Sequence, residues 1–233
     1  MVRDAQNVKR ETRALHVLLL ASRLFHGGLV TGVVLVRHGQ TEWNRVERFR
    51  GWADVPLNET GLAQAKATGE RVASEWKPVA VYSSPLSRAV KTAEAIARHF
   101  DLPVQIQHGL ADINYGQWQG LSPDEVKQRW PEIHRAWHNA PHTARIPGGE
   151  TLDEIRVRAM QAVSEIAARH AGQAVALVSH TVVNRVILLA ILGLGNDRFW
   201  RLRQDTCAVN VFEADAGEFT LVSLNDTCHL RVV

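Results

Sequence analysis

From Gly32 onward, hydrophobic residues form short continuous runs that alternate with longer amphipathic segments. The short runs are rich in β-branched residues, the pattern of strands buried on both faces of a parallel sheet. The amphipathic segments repeat apolar residues every three, four or seven positions, which predicts helices. The predicted strands are Gly32–Arg37, Val79–Ser83, Val104–Gln107, Ala174–Ser179, Ala208–Glu213 and Glu218–Leu224, and the predicted helices are Thr60–Trp76, Pro85–Phe100, Pro123–Trp130, Pro131–Asn139, Thr151–His170 and Val182–Leu192.

Alternating strands and helices predict an α/β fold, a three-layer α/β/α sandwich around a mostly parallel sheet. Two helix starts carry local signals. Pro85 suits the first helical position, where its missing N–H costs nothing. Thr151 is followed three residues later by Glu154, which predicts a capping box. The apolar side of the first long helix should include Leu62, with Ala65, Val72 and Ala73.

Residues 1–31 differ from the rest of the chain, and we expect an N-terminal extension before a single domain over residues 32–233. A charged start precedes the apolar run Ala14–Ala21, which is far shorter than the roughly twenty residues that span a bilayer. Arg23 follows closely and no clear small-x-small cleavage site appears, which argues against a signal peptide. An amphipathic extension, or a start placed too far upstream, fits better than a secretory or mitochondrial leader.

Charge and cysteine content narrow the function classes. The 27 basic and 24 acidic residues give a net charge of +3, and the excess lies before Gly32, which is preceded by five basic and two acidic residues. The remaining chain is neutral, which disfavours a nucleic-acid partner. Two cysteines, Cys207 and Cys228, rule out a disulfide framework; we expect buried, reduced thiols in a cytoplasmic protein without a membrane partner.

Charged and nucleophilic side chains follow four predicted strands at the point where each strand ends. Arg37 and His38 come after the first strand, Arg88 after the second, Asp112 after the third and His180 after the fourth. Because ligands of such sheets bind outside the carboxyl ends of the strands, we expect these five residues to share one site.

The chemistry of this set suits a phosphate ester. Guanidinium groups bind phosphate oxygens bidentately and keep their charge. An imidazole can form a covalent intermediate, and a carboxylic acid can protonate a leaving alkoxide and then deprotonate water. Cationic side chains can stabilise the transferring phosphoryl group, so neither a metal nor a cofactor is expected.

The segment Arg37-His38-Gly39 and its surroundings resemble the signature of the histidine phosphatase superfamily, the phosphoglycerate-mutase-like proteins. Several ordered motifs at matching spacing are far more specific than one tripeptide. The resemblance covers essentially everything from Val33 to the C-terminus, and the segments that carry it are Leu35–Asn44, Phe49–Leu57, Ser83–Ala89, Gly116–Gly120, Pro147–Thr151 and Val178–His180.

The resemblance implies a role for each matching position. His38 would be the nucleophile that becomes phosphohistidine, and Asp112 would be the proton donor. The implied phosphate-binding residues are Arg37, Asn44, Arg88 and His180. One position departs from the pattern, since relatives with this loop usually carry Glu where Asp112 stands, and Asp is one methylene shorter.

Three functions remain open: a metal-independent phosphatase for small phosphorylated metabolites, a cofactor-dependent phosphoglycerate mutase, and a non-catalytic relative that binds phosphorylated ligands. Pro123 stands about where the mutases carry a lysine. Arg129, Arg135 and Arg145 are scattered where the mutases have paired arginines. These departures favour hydrolysis.

Shorter segments look like the metal-independent phosphoserine phosphatases and their broad-specificity relatives, which makes phosphoserine a candidate substrate. His142 and His229 are weaker candidates for substrate contacts, and Trp118 is the tryptophan expected to form a wall of the site. The last strands could pair across a homodimer. The segments that carry this second resemblance are Ala140–His142, Ser179–Thr181, Phe199–Trp200, Asp205–Ala208 and Leu224–Leu230.

Overall fold

The computed structural model describes residues 29–231, so the expectation of an N-terminal extension concerns residues that lie almost entirely outside the described part. The described chain folds around a six-stranded sheet with the order β3-β2-β4-β1-β5-β6. The strands are β1 (Thr31–Arg37), β2 (Ala80–Ser83), β3 (Val104–Ile106), β4 (Ala174–Ser179), β5 (Val209–Asp215) and β6 (Glu218–Asp226).

The pairing of the strands confirms a mostly parallel sheet. β4 lies between β1 and β2 and is parallel to both, and β3 extends the parallel part beside β2. β5 runs antiparallel to β1, and β6 antiparallel to β5. In this register Arg37 pairs with Ser179 and Ser83 with Val178, so β1, β2 and β4 end side by side. The residues that follow these strands therefore emerge together at one edge.

The described residues form seven α-helices. They are α1 (Glu42–Arg45), α2 (Glu59–Glu75), α3 (Ser87–Ala97), α4 (Pro123–Arg129), α5 (Pro131–Asn139), α6 (Leu152–Arg169) and α7 (Thr181–Ile191). Alternate residues of β1 enter two separate cores: Val33 and Leu35 pack on one face, and Val34 and Val36 on the other. Because both faces of the sheet are buried, the predicted three-layer sandwich is confirmed.

Local differences from the sequence predictions have packing reasons. Leu62 was expected on the buried side of α2 but is 52% exposed. This helix packs through small residues, and a Cβ at Gly69 would collide with the carbonyl oxygen of Ala95 in α3. α3 begins at Ser87 rather than Pro85, with Leu86 as its N-cap. Within residues 29–231, no helix is both long enough and apolar enough to cross a membrane.

Candidate active site

Two of the predicted histidines meet where the central parallel strands end. His38 follows β1 and His180 follows β4, and the backbone N–H of His38 donates to the carbonyl of Ser179 at 3.0 Å. The two imidazole rings lie 5.0 Å apart, centre to centre. Both side chains are buried. The parallel pairing of β1 with β4 thus produces the proximity that the sequence could only imply.

One nitrogen of His38 is engaged by the backbone and the other is free. Nδ1 lies 2.7 Å from the carbonyl oxygen of Gly39, which only an Nδ1–H can use as a hydrogen-bond acceptor. Nε2 is buried and has no hydrogen-bond partner in the described chain. Burial, reinforced by the charges of Arg88 and Arg37, holds the pKa of His38 well below its usual value. The ring is therefore neutral at pH 7, with its Nε2 lone pair available as a nucleophile.

The loop after His38 is held by close backbone packing against α2. The N–H of Gly39 donates to the hydroxyl of Thr92 at 3.1 Å. Gly61, in the first turn of α2, comes so close that a Cβ there would collide with the carbonyl oxygen of Gln40. A Cβ at Gly39 would in turn lie 2.5 Å from the carbonyl oxygen of Gly61. The loop and the helix can approach this closely only because both positions are glycines.

Arg88 is a fully buried cation fixed by three acceptors. Its Nη1 donates to the carbonyl of Ala53 at 2.9 Å, and its Nη2 donates to the carbonyl of Gly51 at 2.8 Å. The same Nη2 lies 3.0 Å from Oδ2 of Asp112 and forms an ion pair with it. These three contacts hold the guanidinium group of Arg88 in one orientation.

The Asp112 carboxylate lies among hydrogen-bond donors and is almost fully buried. Oδ1 accepts from the N–H of Ile113 at 3.0 Å, and Oδ2 lies 3.5 Å from Nδ1 of His180 in addition to its contact with Arg88. Its own backbone carbonyl accepts from the indole N–H of Trp52 at 2.8 Å. The loop that follows β3 is thereby drawn into the same site as the ends of β1, β2 and β4.

The orientation of His180 is set by Ser84. Nε2 of the imidazole lies 2.7 Å from the Ser84 hydroxyl oxygen, which also accepts the N–H of Leu86 at 3.3 Å. Burial, followed by the charge of Arg88, holds the pKa of His180 well below its usual value. If the Ser84 hydroxyl donates to Nε2, the proton of the neutral ring stays on Nδ1. That tautomer turns Nδ1 into a donor directed at the site.

Asn44 completes the capping box of the short helix α1, whose N-cap is Thr41, and borders the pocket beside these groups. Its side-chain oxygen accepts from both the backbone N–H and the hydroxyl of Thr41, each at 2.9 Å. With Oδ1 engaged in this way, the amide nitrogen is the group of Asn44 that remains for a ligand.

Four of the six predicted site residues carry a buried polar atom without a hydrogen-bond partner in residues 29–231. Unpaired buried polar atoms are rare in native proteins and need an explanation, such as a bound ligand. The unpaired atoms are Nε of Arg37, Nε2 of His38, Nε of Arg88 and Nδ1 of His180. Nε2 of His38 is the nucleophile, and the other three are nitrogens that carry or can carry a proton.

A pocket of about 480 Å³ opens beside this cluster. Three of the predicted residues line it, namely Arg37, Asn44 and Asp112, whereas His38, Arg88 and His180 are buried and do not. Aromatic side chains form much of the remaining wall. The aromatic residues that line the pocket are Phe49, Tyr115, Trp137, Phe199 and Trp200.

Two pocket-lining arginines, Arg50 and Arg185, were not among the predicted site residues. Arg50 donates to the carbonyl of Trp43 at 3.1 Å, and burial lowers its pKa. Its position within a motif of the family resemblance was a usable signal. Arg185 is one of only two polar side chains in the otherwise apolar segment Val182–Leu192, which was the only hint that the sequence offered.

The expectation that Trp118 forms a wall of the site is wrong, and the two weaker candidates for substrate contacts, His142 and His229, do not line the pocket. His142 is exposed and does not line the pocket. His229 instead lies against α2, with Nε2 3.0 Å from the Thr68 hydroxyl. Trp118 is fully buried and packs behind Phe49 rather than forming a wall.

The two cysteines differ in burial. Cys207 is buried as expected, and burial raises the pKa of its thiol to about 12. Cys228, which was also expected to be buried, is exposed. Neither forms a disulfide.

Comparison with known proteins agrees with this architecture. Residues 33–227 match the family model of the histidine phosphatase superfamily, branch 1. Phosphoserine phosphatase 1 of Hydrogenobacter thermophilus is 36% identical over 198 residues, covering 85% of this chain and 93% of that protein. A metal-independent phosphoserine phosphatase of Arabidopsis thaliana is 38% identical over 206 residues, covering 88% of this chain and 85% of that protein.

Among solved structures, YhfR of Bacillus stearothermophilus superposes with a TM-score of 0.82 at 32% sequence identity, covering 86% of this chain and 100% of that one. The predicted fold and family, and with them the expectation of an enzyme of the histidine phosphatase type, are therefore confirmed. The family match extends over most of the described chain and includes every residue of the candidate active site. The protein belongs to the histidine phosphatase superfamily.

Proposed function

We propose that this protein is a metal-independent phosphatase that hydrolyses small phosphate monoesters through a phosphohistidine at His38. The observation that carries the proposal is the cluster of unpaired buried atoms described above. A nucleophilic nitrogen on His38 lies among donors on Arg37, Arg88 and His180. A phosphoryl group is the ligand whose three oxygens would satisfy such donors while its phosphorus faces the nucleophile.

In the first step, Nε2 of His38 forms a bond to phosphorus as the bond between phosphorus and the ester oxygen breaks. The charges of Arg37 and Arg88 stabilise the transferring group, which replaces the role of a metal ion. Asp112 gives its proton to the departing alkoxide.

In the second step, a water molecule attacks phosphorus and Asp112 accepts its proton. The bond between nitrogen and phosphorus breaks, the electron pair returns to Nε2 of His38, and inorganic phosphate leaves. Asp112 thus alternates between acid and base within one cycle. Since Nδ1 of His38 donates to Gly39 throughout, the ring keeps the tautomer that presents Nε2.

Hydrolysis is favoured over the mutase reaction because the pocket has no arginine pair from the segment between Gly120 and Pro147. Arg129, Arg135 and Arg145 are all exposed, and none of them lines the pocket. Arg135 instead forms an ion pair with Glu132 at 3.1 Å. Pro123, in place of the lysine expected in a mutase, lies at the pocket wall.

A panel of phosphomonoesters, assayed with a chelator present, tests the proposal. We expect release of inorganic phosphate, an acid-labile phosphoryl group on the protein, and loss of both in His38→Ala. His142→Ala, at an exposed histidine outside the pocket, is the matched control and should retain activity. Conversion of 3-phosphoglycerate to 2-phosphoglycerate with a bisphosphate primer and little hydrolysis would support the mutase instead, and ligand binding without turnover would support the inert relative.

Phosphoserine is the first substrate that we propose to test. Two of the relatives described above are named phosphoserine phosphatases. The pocket volume of about 480 Å³ suits a small metabolite. A kinetic panel of phosphoserine, 3-phosphoglycerate and α-ribazole phosphate would rank the candidates by kcat/KM.

The proposal includes a cytoplasmic location and a homodimer. The unpaired thiols of Cys207 and Cys228 are compatible with a reducing compartment. β6 forms one edge of the described sheet and could pair with a second copy. Cell fractionation tests the location. Light scattering across a concentration series tests the dimer, and a constant monomer mass would refute it.

A further inference from the structure

Arg185 places a positive charge in the pocket, and no counter-ion for it lies in the part of the chain that the structure describes. Its Nε donates to the carbonyl of Leu202 at 2.7 Å. Its guanidinium carbon lies 5.0 Å from the ring centres of Phe199 and Trp200. In the described chain, neither Nη atom has a hydrogen-bond partner and no carboxylate lies within ion-pair distance. The guanidinium is thus held in place while its outer N–H donors remain free.

Burial lowers the pKa of Arg185, which reflects the cost of keeping this charge out of water. The negative group that offsets this cost, Asp205, acts only at a distance. Burial raises the pKa of Tyr115, so its phenol stays neutral. A buried charge that lacks a partner destabilises a protein unless a ligand supplies one. The aromatic wall of the pocket lowers the local dielectric constant and strengthens any ion pair formed there.

Phosphate alone does not neutralise the site. Four arginines, Arg37, Arg50, Arg88 and Arg185, border the pocket or the buried cluster beside it, and Asp112 is the carboxylate among the catalytic groups. Glu47 also lines the pocket, and with it a phosphate dianion and an ionised Asp112 balance the four arginines. When Asp112 carries the proton that it gives to the leaving group, one positive charge is left over. A second anionic group on the substrate would balance that charge.

We propose that Arg185 is a carboxylate-binding residue that selects phosphate esters carrying a carboxylate. The planar fork of an arginine matches the two oxygens of a carboxylate. This inference rests on the proposed phosphatase function, since it names what the same pocket recognises beyond the phosphoryl group. Arg185 contacts the non-reacting part of the substrate and therefore acts on binding and orientation.

Phosphoserine and phosphoethanolamine test the inference because they differ only by the carboxylate. We expect wild-type enzyme to prefer phosphoserine in kcat/KM. In Arg185→Gln that preference should fall by about 10- to 100-fold, the effect of losing a hydrogen bond to a charged group, mainly through KM. Arg185→Lys keeps the charge without the fork and should retain an intermediate preference. Arg156→Gln is the matched control, since Arg156 also donates to a carbonyl, that of Leu194, but does not line the pocket.

Several results would overturn the assignment. Equal losses on both substrates in Arg185→Gln would assign Arg185 a packing role, and thermal unfolding of the variants would reveal one. A preference for phosphoserine over phosphoethanolamine that is unchanged in Arg185→Gln would also refute the assignment. So would a wild-type enzyme that prefers a bisphosphate, if Arg185→Gln abolishes that preference, because Arg185 would then bind a second phosphate rather than a carboxylate. Hydrolysis of p-nitrophenyl phosphate that depends on His38, without any preference for phosphoserine, would refute this subsite but leave the proposed function standing. Absence of His38-dependent hydrolysis of every ester would refute the proposed function itself.

Discussion

Replacing Asp112 by asparagine separates the proton donor from the rest of the site. The substitution keeps the shape of the side chain and removes the acidic proton. It also changes the hydrogen bonds, because the carboxylate accepts from two donors, the N–H of Ile113 and Nη2 of Arg88, and lies 3.5 Å from Nδ1 of His180. An amide has only one oxygen, so its NH₂ group must face at least one of these donors.

The expected size of the effect depends on the leaving group. General acid catalysis contributes about 10²- to 10⁴-fold, or roughly 3–5 kcal/mol, when an alkoxide such as that of serine departs. The p-nitrophenolate ion leaves without a proton, so its release should slow less than about tenfold. We also expect unfolding to become easier by about 1.5–3 kcal/mol, the worth of a hydrogen bond to a charged group. Added inorganic phosphate should restore part of this loss by pairing with Arg88.

The assay compares kcat/KM for phosphoserine and p-nitrophenyl phosphate in wild type and in Asp112→Asn, with thermal unfolding measured with and without phosphate. Asp101→Asn, at an exposed residue between α3 and β3, is the control for loss of a carboxylate elsewhere. Equal losses on the two substrates would refute the proton-donor role and leave Asp112 as a residue that only positions Arg88. A greater loss on p-nitrophenyl phosphate would contradict the reasoning outright.

Three further predictions address the support of the site. Ser84→Ala should lower kcat about tenfold, because the imidazole of His180 loses the hydroxyl that holds its tautomer and orientation. Ser84→Thr keeps a hydroxyl and should restore kcat. An unchanged kcat in Ser84→Ala would show that Ser84 does not position His180. Gly61→Ala should destabilise the fold by about 1–3 kcal/mol and reduce kcat/KM, because the new methyl group pushes the loop after β1, and a chemical denaturation curve measures it. The pKa values of His38, His180 and His229 lie below the usual 6.5 in the folded protein, and that of His229 is about 4. The unfolded chain therefore takes up more protons than the folded one as pH falls from about 6.5 towards 4, and the free energy of unfolding should decrease over that range. A denaturation midpoint that stays flat across that range would contradict this prediction.

Strand positions could be predicted because their causes are local. The run Ala174–Ser179 is a strand with the predicted limits, since β-branched apolar residues buried on both sides leave little alternative. Helix starts could also be predicted where side chains cap the backbone of the first turn, as Thr151 and Glu154 do. The exposure of Leu62 could not be predicted, because the approach of α3 to Gly69, rather than the periodicity of α2, decides which face of α2 is buried.

The catalytic set was predictable in part for the same reason. Residues that follow parallel strands share an edge whatever their distance along the chain, which brought His38 and His180 together in advance of any structure. The family resemblance supplied their expected roles, and the structure supplies their contacts. The substrate side of the pocket was not predictable, since its wall combines aromatic residues from α5 and from the segment after α7 with Arg185 of α7.

The sequence by itself determined the fold class, the family and the group of charged residues that end its strands, because each depends on short-range patterns or on motifs read in order. Only the tertiary structure decided which nitrogen of His38 is free, how Ser84 orients His180, and that Arg185 has no counter-ion among the described residues. These properties depend on a few tenths of an ångström between groups far apart in the chain. The strength of a hydrogen bond or an ion pair falls steeply over such distances, so the chemistry of the site is fixed only when the whole fold is packed.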